Sequence, residues 1–490
     1  MAQIIAPSLD EHRKPGRAGK AGKADRSSES GGLSQPGNAG KPAVRSTSVL
    51  VVVLFIAFMI LTAIGGGTIA FLSLIGIVIC AVCLFRREVR IDWWIFIPLA
   101  VYVAMNFISS WVTHENVMRG YGCLHLIFLT LYAASCSLRN EETHLLRLLC
   151  VLWAGIVSAV SIIAFTYQAF FISPTRLEFV IGSPNGLGIF LVLSWFALQS
   201  CRMARAEGRL FAAVERLEPV ILVALAMTLS MGSIAALVVG LIVLFVSQGR
   251  RTTWKDALRF IVVIGAKLLL SLVIGFLMYM AAERAEAPIL CAIILIYLCC
   301  MVALWKRFDG FLQRNFKLAL ALSVVGLLCI PLALFMRPSA LYTFSERLAM
   351  MANGLGYLFV DPITGVGPMQ WKALNLQDSD MYFNTNHIHN IFIHVGVEFG
   401  LIAMISLIVI TVRLFVKRYK EAQHGEDAAL LTHLLTDTGF YYVGIIGTFI
   451  FTAGGSTTAV KKTSSIGAKL LFGVLGIMHF AILWIYLASF

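Results

Sequence analysis

Residues 48–85 read SVLVVVLFIAFMILTAIGGGTIAFLSLIGIVICAVCLF, a stretch without one charged side chain. The hydrocarbon core of a bilayer takes about 20 apolar residues as a helix, and Gly65-Gly66-Gly67 interrupts this run near its middle. The stretch therefore reads as two spans, 48–64 and 68–85, joined by a tight turn. Apolar runs bounded by charge recur near 92–111, 121–138, 145–171, 185–204, 217–230, 232–248, 259–281, 288–305, 317–336, 390–416, 438–454 and 466–489. The expected fold is an all-α polytopic membrane protein of about 12–14 transmembrane helices.

Composition agrees. Of 490 residues, 59% are hydrophobic and 13% charged, with a mean hydropathy of +0.84. A soluble enzyme carries about a quarter of its residues charged, so that class is excluded. The ten cysteines, Cys80 to Cys329, all fall inside apolar runs. They read as small core residues, and neither a disulfide nor a metal site is expected from them. No basic patch with interleaved aromatics suggests a nucleic-acid surface.

The net charge of +13 is an orientation signal, because Lys and Arg collect in cytoplasmic loops. With the N terminus inside, 29 basic residues fall on the inner side and nine outside: Arg119, Arg176, Arg284, Arg337, Arg347, Lys372, Lys461, Lys462 and Lys469, with Lys267 alone in a span. Both termini are then cytoplasmic. Residues 1–47, rich in Gly, Ala, Ser, Lys and Arg, read as a disordered basic cytoplasmic tail, followed by the transmembrane domain at 48–490.

One outside loop, 337–388, is 52 residues long, and loops of that length are functional or disordered. It is not low-complexity. It holds a helical stretch at 344–359, turns at Asp361-Pro362 and Gly365-Val366-Gly367-Pro368, and aromatics at Tyr382 and Phe383. It ends in Asn384-Thr385-Asn386-His387-Ile388-His389-Asn390, where Asn386 reads as an N-cap. A histidine at that boundary is mostly neutral and able to take a proton from a hydroxyl; His-Ile-His reads equally as interfacial polar trim. The spacing of His387, His389 and His394 lacks the i, i+4 pairing of a helical zinc motif. His394 and Glu398 lie within a span, where ionisable groups face protein or a wet cavity, and Lys267 is one candidate partner for Glu398. Gly396 and Gly400 read as a packing pair. Arg176 precedes Gly182-Ser183-Pro184-Asn185-Gly186, in which Pro184 and Asn185 read as the turn and cap opening the next span. Arginine binds phosphate oxygens through two charge-assisted bonds. Arg176 and Arg347, on the outer side with a candidate base, describe a site for a diphosphate leaving group.

These residues resemble a family. His389-Asn390, nine residues and then Gly400 is similar to the histidine motif of the O-antigen ligase and O-antigen polymerase superfamily of bacterial membrane glycosyltransferases. The Gly365–Pro368 turn, the stretch from Arg176 through Pro184-Asn185, and Ser345-Glu346-Arg347 resemble further family motifs, in the same order and on the same side, over roughly residues 170–416. The resemblance implies a metal-independent, cofactor-free transferase acting on the outer face of the inner membrane. Its donor would be a glycan linked through a diphosphate to undecaprenol, its acceptor another glycan or lipid-linked molecule, and its neighbours other polysaccharide assembly proteins. It assigns the base to His389 and the diphosphate to Arg176 and Arg347, with His387, Asn390, Arg119 and Asn185 as secondary candidates. Where the family often carries Ser-Arg-Gly, this chain has Ser230-Met231-Gly232, so that arginine's role is either absent here or taken by another residue, Arg119 being the candidate. The motif does not separate polymerase from ligase; a polymerase is slightly favoured because nothing speaks for a lipid A acceptor. From other classes, a lipid-linked oligosaccharide flippase or secondary transporter, or a catalytically silent scaffold of an assembly complex, would also be basic and many-spanning. No internal repeat of the transporter kind is visible.

Overall fold

The computed structural model describes residues 48–63, 68–119, 121–172, 176–178, 181–204, 206–283, 288–336, 339–377, 383, 385–418, 424–453 and 461–489. The basic tail, the Gly65–Gly67 turn, Tyr382, Asn384, Arg284 and Arg337 lie outside them.

The chain is an all-α membrane protein. In order, its helices are α1 (Val49–Ala63), α2 (Ile69–Cys83), α3 (Trp93–Val112), α4 (Gly122–Ser135), α5 (Asn140–Gln168), α6 (Pro184–Met203), α7 (Arg209–Arg216), α8 (Glu218–Met227), α9 (Met231–Arg251), α10 (Trp254–Glu283), α11 (Pro288–Arg314), α12 (Phe316–Met336), α13 (Ser339–Tyr357), α14 (Gln370–Gln377), α15 (Ile391–Arg418), α16 (His424–Thr436), α17 (Val443–Ala453) and α18 (Ser465–Ala488). Among the described residues eight helices are long and apolar enough to cross a membrane, and five shorter apolar helices accompany them. Each of the fourteen apolar runs lies on helix. In both predicted hairpins the two runs are separate helices: α1 and α2 are distinct, and Leu229, at a left-handed φ of 48°, divides α8 from α9.

Two three-residue strands, β1 (Val89–Ile91) and β2 (Lys461–Thr463), pair antiparallel. They mark one end of the bundle, here the strand end. Arg86 binds Ser48 at 2.9 Å and Glu142 at 3.0 Å, bringing the starts of α1 and α5 there. Asp92 caps α3 by accepting from the Trp94 N–H and pairs with Arg413 at 3.0 Å, which fixes the far part of α15 at the same end. The opposite end carries α13, α14 and the segment leading into α15, and is here the loop end.

The strand pairing corrects the expected topology. β2 sits at the strand end, so Lys461, Lys462 and the nearby Lys469 join the basic side rather than the opposite one. From β2, α18 runs antiparallel to α2: Gly76 packs on His479, and a Cβ at Gly476 would stand 3.4 Å from Cys80. Residues 48 and 489 therefore lie at opposite ends, not on one side. The source of the miscount is α16. Gly425 packs on Gly240, and a Cβ at Gly232 would stand 3.5–3.6 Å from Thr436 and Asp437, so α16 climbs to the loop end beside α9 and α17 descends again. Its 13 residues span about 20 Å.

α15 is two helical pieces. Gly400 has φ 85° and ψ 169°, which only glycine adopts freely. Backbone groups released inside a membrane cost several kcal/mol each unless protein satisfies them. The turn at 361–367 does so: Val366 N–H donates to Val397 O at 2.9 Å, Gly367 N–H to Glu398 O at 3.1 Å, and Leu401 N–H to Pro362 O at 2.8 Å. Gly365, at φ 74°, lies directly on the Glu398–Phe399 peptide, so a side chain there would strike backbone. The glycine-rich turn is thus the plug of a helix break. Gly396 does pack, against Leu358 and Met404, whereas Gly400 is a conformational requirement.

Candidate functional site

Four of the sequence-derived residues converge at the loop end. Arg347, two turns into α13, donates from Nη1 to Thr436 O at 2.7 Å and from Nη2 to Asp437 Oδ2 at 3.0 Å. Its Nε is buried and has no hydrogen-bond partner among the described residues. His389 presents Nδ1 to the other carboxylate oxygen, Asp437 Oδ1, at 3.5 Å. Asp437 therefore bridges the arginine and the histidine while 3% exposed. Burial works to raise its pKa, but the nearby His389 and the charges of His433 and Arg347 outweigh it and hold the carboxyl below the ordinary range.

Asn185 and Arg347 line one cavity of about 240 Å³, together with Thr436 and apolar side chains that include Met231, Leu341 and Phe344. Arg176 stands behind this wall, donating from Nη2 to Asn185 Oδ1 at 3.0 Å and from Nε to Thr228 O at 2.9 Å. It is tied to the ends of α6 and α8 and reaches the cavity through Asn185. The N-cap of α6 is Ser183, whose Oγ accepts from Gly186 N–H, with Pro184 next as the first helical residue. That frees the Asn185 side chain for Arg176.

The other candidates divide. Asn390 is the N-cap of α15: its Oδ1 accepts from Phe392 and Ile393 N–H at 3.1 and 3.2 Å. Asn386, expected in that role, instead accepts from Lys372 Nζ at 2.7 Å. The cap lies immediately after His389 and fixes it at the helix entrance. His387 turns away from its neighbour. It stacks on Tyr441 with ring centroids 4.1 Å apart and meets the Tyr121 hydroxyl at 3.1 Å. Burial, then the nearby His394, His389, His125 and Lys372, push its pKa down to about 2, so it stays neutral. Arg119 closes a 3-10 turn, Val117–Arg119, before Tyr121. Its side chain lies outside what the structure describes.

Glu398 does not pair with Lys267. Its Oε2 faces His394 Nε2 at 3.3 Å, both side chains fully buried. His394 Nδ1 accepts from Ile388 N–H at 3.4 Å, which ties this pair to the backbone between His387 and His389. Lys267 sits at the other end of the bundle, against Glu218 and Asp309.

The residue that sequence reasoning missed is Asp437. Eight residues, 428–435, separate the Glu426-Asp427 pair from Thr436-Asp437, too few for a span, so the segment read as an inner loop. The available signal was His433 and Asp437 at i, i+4 on one helical face.

The arrangement is a carboxylate 3.5 Å from one imidazole nitrogen, with the other left to accept a proton, beside an arginine and an apolar cavity. No family model matches the chain, and no curated protein matches it.

Proposed function

We propose that the protein is a membrane glycosyltransferase that transfers or polymerises an undecaprenyl-diphosphate-linked glycan, with its site at the loop end facing out of the cell. The observation that carries this reading is the convergence of Arg347, His389 and Asp437 beside a cavity shared with Asn185. The acceptor hydroxyl would give its proton to His389 Nε2 while its oxygen attacks the anomeric carbon, and the bond from that carbon to the diphosphate breaks. Arg347, in the cavity wall, takes charge on the departing diphosphate. Arg176 sets Asn185 in the cavity wall. Met231, Leu341 and Phe344 give the lipid chain an apolar surface. The strand end holds most basic residues, which argues that it is cytoplasmic, in a bacterial inner membrane.

The test is transfer by purified protein from a lipid-linked donor, with Arg347→Ala and His389→Ala. Loss of transfer in both, with the fold intact, supports the reading; full activity in either overturns it. One observation favours a transporter instead: α15 is broken beside the buried His394–Glu398 pair, and broken helices with buried ionisable groups line transport sites. Uptake of a lipid-linked donor into proteoliposomes without product formation would establish that alternative.

A further inference from the structure

A cavity at the other end of the molecule belongs to no part of the proposed chemistry. It occupies about 390 Å³ between α6, α10, α11 and the start of α12. One wall is the α10 stripe of Arg259, Val263 and Lys267, positions i, i+4 and i+8 on one helical face. Arg259 is exposed and Lys267 is 3% exposed, so the cavity descends about 12 Å along α10, from a wet mouth to a buried floor.

The floor is a completed charge network. Glu218, fully buried, accepts from Trp195 at 3.1 Å, Gln199 at 3.0 Å, Trp305 at 2.7 Å, Lys267 at 3.3 Å and both terminal nitrogens of Arg202 at 2.7–2.8 Å. Arg202 also meets Glu215 at 3.2 Å, outside the cavity, and Lys267 also pairs with Asp309. The inner cations are therefore matched by carboxylates. Arg259 is not: it makes no ion pair or hydrogen bond among the described residues. Arg202, Arg259 and Lys267 stand against Glu215, Glu218 and Asp309, so the cluster is balanced in sum, and its one unpaired charge, Arg259, sits at the mouth. Beside it are Phe260 and Phe316, half-buried.

One unmatched guanidinium at the rim of an apolar-sided cleft, at the basic end of a membrane protein, is complementary to a single phosphodiester on an apolar tail. We propose that this cavity holds the headgroup of an anionic phospholipid from the leaflet at the strand end. Arg259 binds the phosphate, and the acyl chains run over Phe260 and Phe316. This site is independent of the transferase reading.

Native mass spectrometry of the detergent-purified protein tests it, with phosphatidylglycerol, phosphatidylcholine or inorganic phosphate added separately. Phosphatidylglycerol should give retained adducts. Arg259→Gln should weaken them about five-fold, the ~1 kcal/mol that one basic contact to an anionic lipid carries. Arg87→Gln, an exposed arginine at the same end, should leave them unchanged. Because Arg259 is exposed and unpaired, its variant should keep the wild-type melting profile. Equal retention of phosphatidylcholine, equal loss in Arg87→Gln, or binding of inorganic phosphate without phosphatidylglycerol would each overturn the proposal.

Discussion

Asp437→Asn keeps the shape of the side chain and removes its charge, which leaves the Arg347 guanidinium without its counter-ion. Asp437 is 3% exposed and Arg347 13% on their side chains, with 3.0 Å between them. Oδ1 also accepts from Thr438 N–H at 2.8 Å, a bond the amide oxygen can keep. The amide nitrogen then stands where Oδ2 accepted from Arg347 Nη2, so the charge and that hydrogen bond are lost together. Removing one partner of a buried pair costs about 3–5 kcal/mol, mostly from the charge left behind. Arg347→Met should cost a similar amount, because it strands the carboxylate. The double variant Arg347→Met/Asp437→Leu strands nothing, so its loss should be smaller than either single loss. The assay is thermal unfolding in one detergent at one scan rate, since membrane proteins of this size unfold irreversibly and only matched conditions compare. If the double variant loses the sum of the two singles, the pair is not coupled and the bridging role of Asp437 is wrong. Transfer should be absent from all three, including the double variant whose stability returns, because recovered packing does not restore the orientation of His389.

The other expectations concern separate parts of the molecule. Gly365→Ala and Gly400→Ala should each prevent accumulation of folded protein, since the added Cβ meets backbone at a left-handed φ, whereas Gly396→Ala, which meets Leu358 and Met404, should be milder; yield after detergent extraction separates them. His387 should make the fold acid-sensitive: its folded pKa near 2 keeps it neutral while the unfolded chain takes up a proton below ~6.5, so stability present at higher pH falls by at most ~1.4 kcal/mol per pH unit below that value. His387→Phe should flatten that part of the slope between pH 6.5 and 5 in melting curves. Asp437 has the opposite origin and a lower window: its stabilisation is full above the unfolded carboxyl range near ~4 and is lost only as pH falls further. Reporter fusions after residue 489 and before residue 48 should report opposite sides of the membrane; the same side for both would refute the course assigned to α16, α17 and α18.

The fold class was legible because a span is announced by length and apolarity alone, as 48–85 illustrates. Which loops share an end of the bundle was legible in part, for the same reason that the count misled at the C-terminal end. Charge counting assigns sides only after spans are counted, and α16 does not look like a span. It needs no lipid-facing length because it lies beside α9, with Gly425 on Gly240 and Gly232 under Asp437. Small residues at close helix contacts carry no hydropathy signal. One unseen helix inverted the sides of Lys461, Lys462 and Lys469 and hid Asp437 on the wrong face. The site residues before it, Arg176, Asn185, Arg347 and His389, were placed on a common side because every crossing up to α15 had been counted.

Glycine spacing failed for a different reason. Gly396 and Gly400 stand at i, i+4, the pattern of a packing face, yet the second of them ends a helix. What decides between the two readings is the partner that takes up the freed backbone groups, and here that partner is the 361–367 turn, more than thirty residues earlier. The turn and the break are one device: it holds α13 and α14 against the first piece of α15, whose entrance carries His389 and whose interior carries Glu398. Ser109 Oγ donates to the same Glu398 carbonyl at 2.8 Å, so α3 is pinned to it as well. A substitution in the turn should therefore disturb the histidine segment before it disturbs the bundle. Hydrogen exchange at the Ile388 amide, bonded to His394, should rise in Thr364→Pro while exchange in α5 and α6 stays slow. Equal loosening of all three regions would mean that the plug supports the whole bundle and has no particular hold on the site.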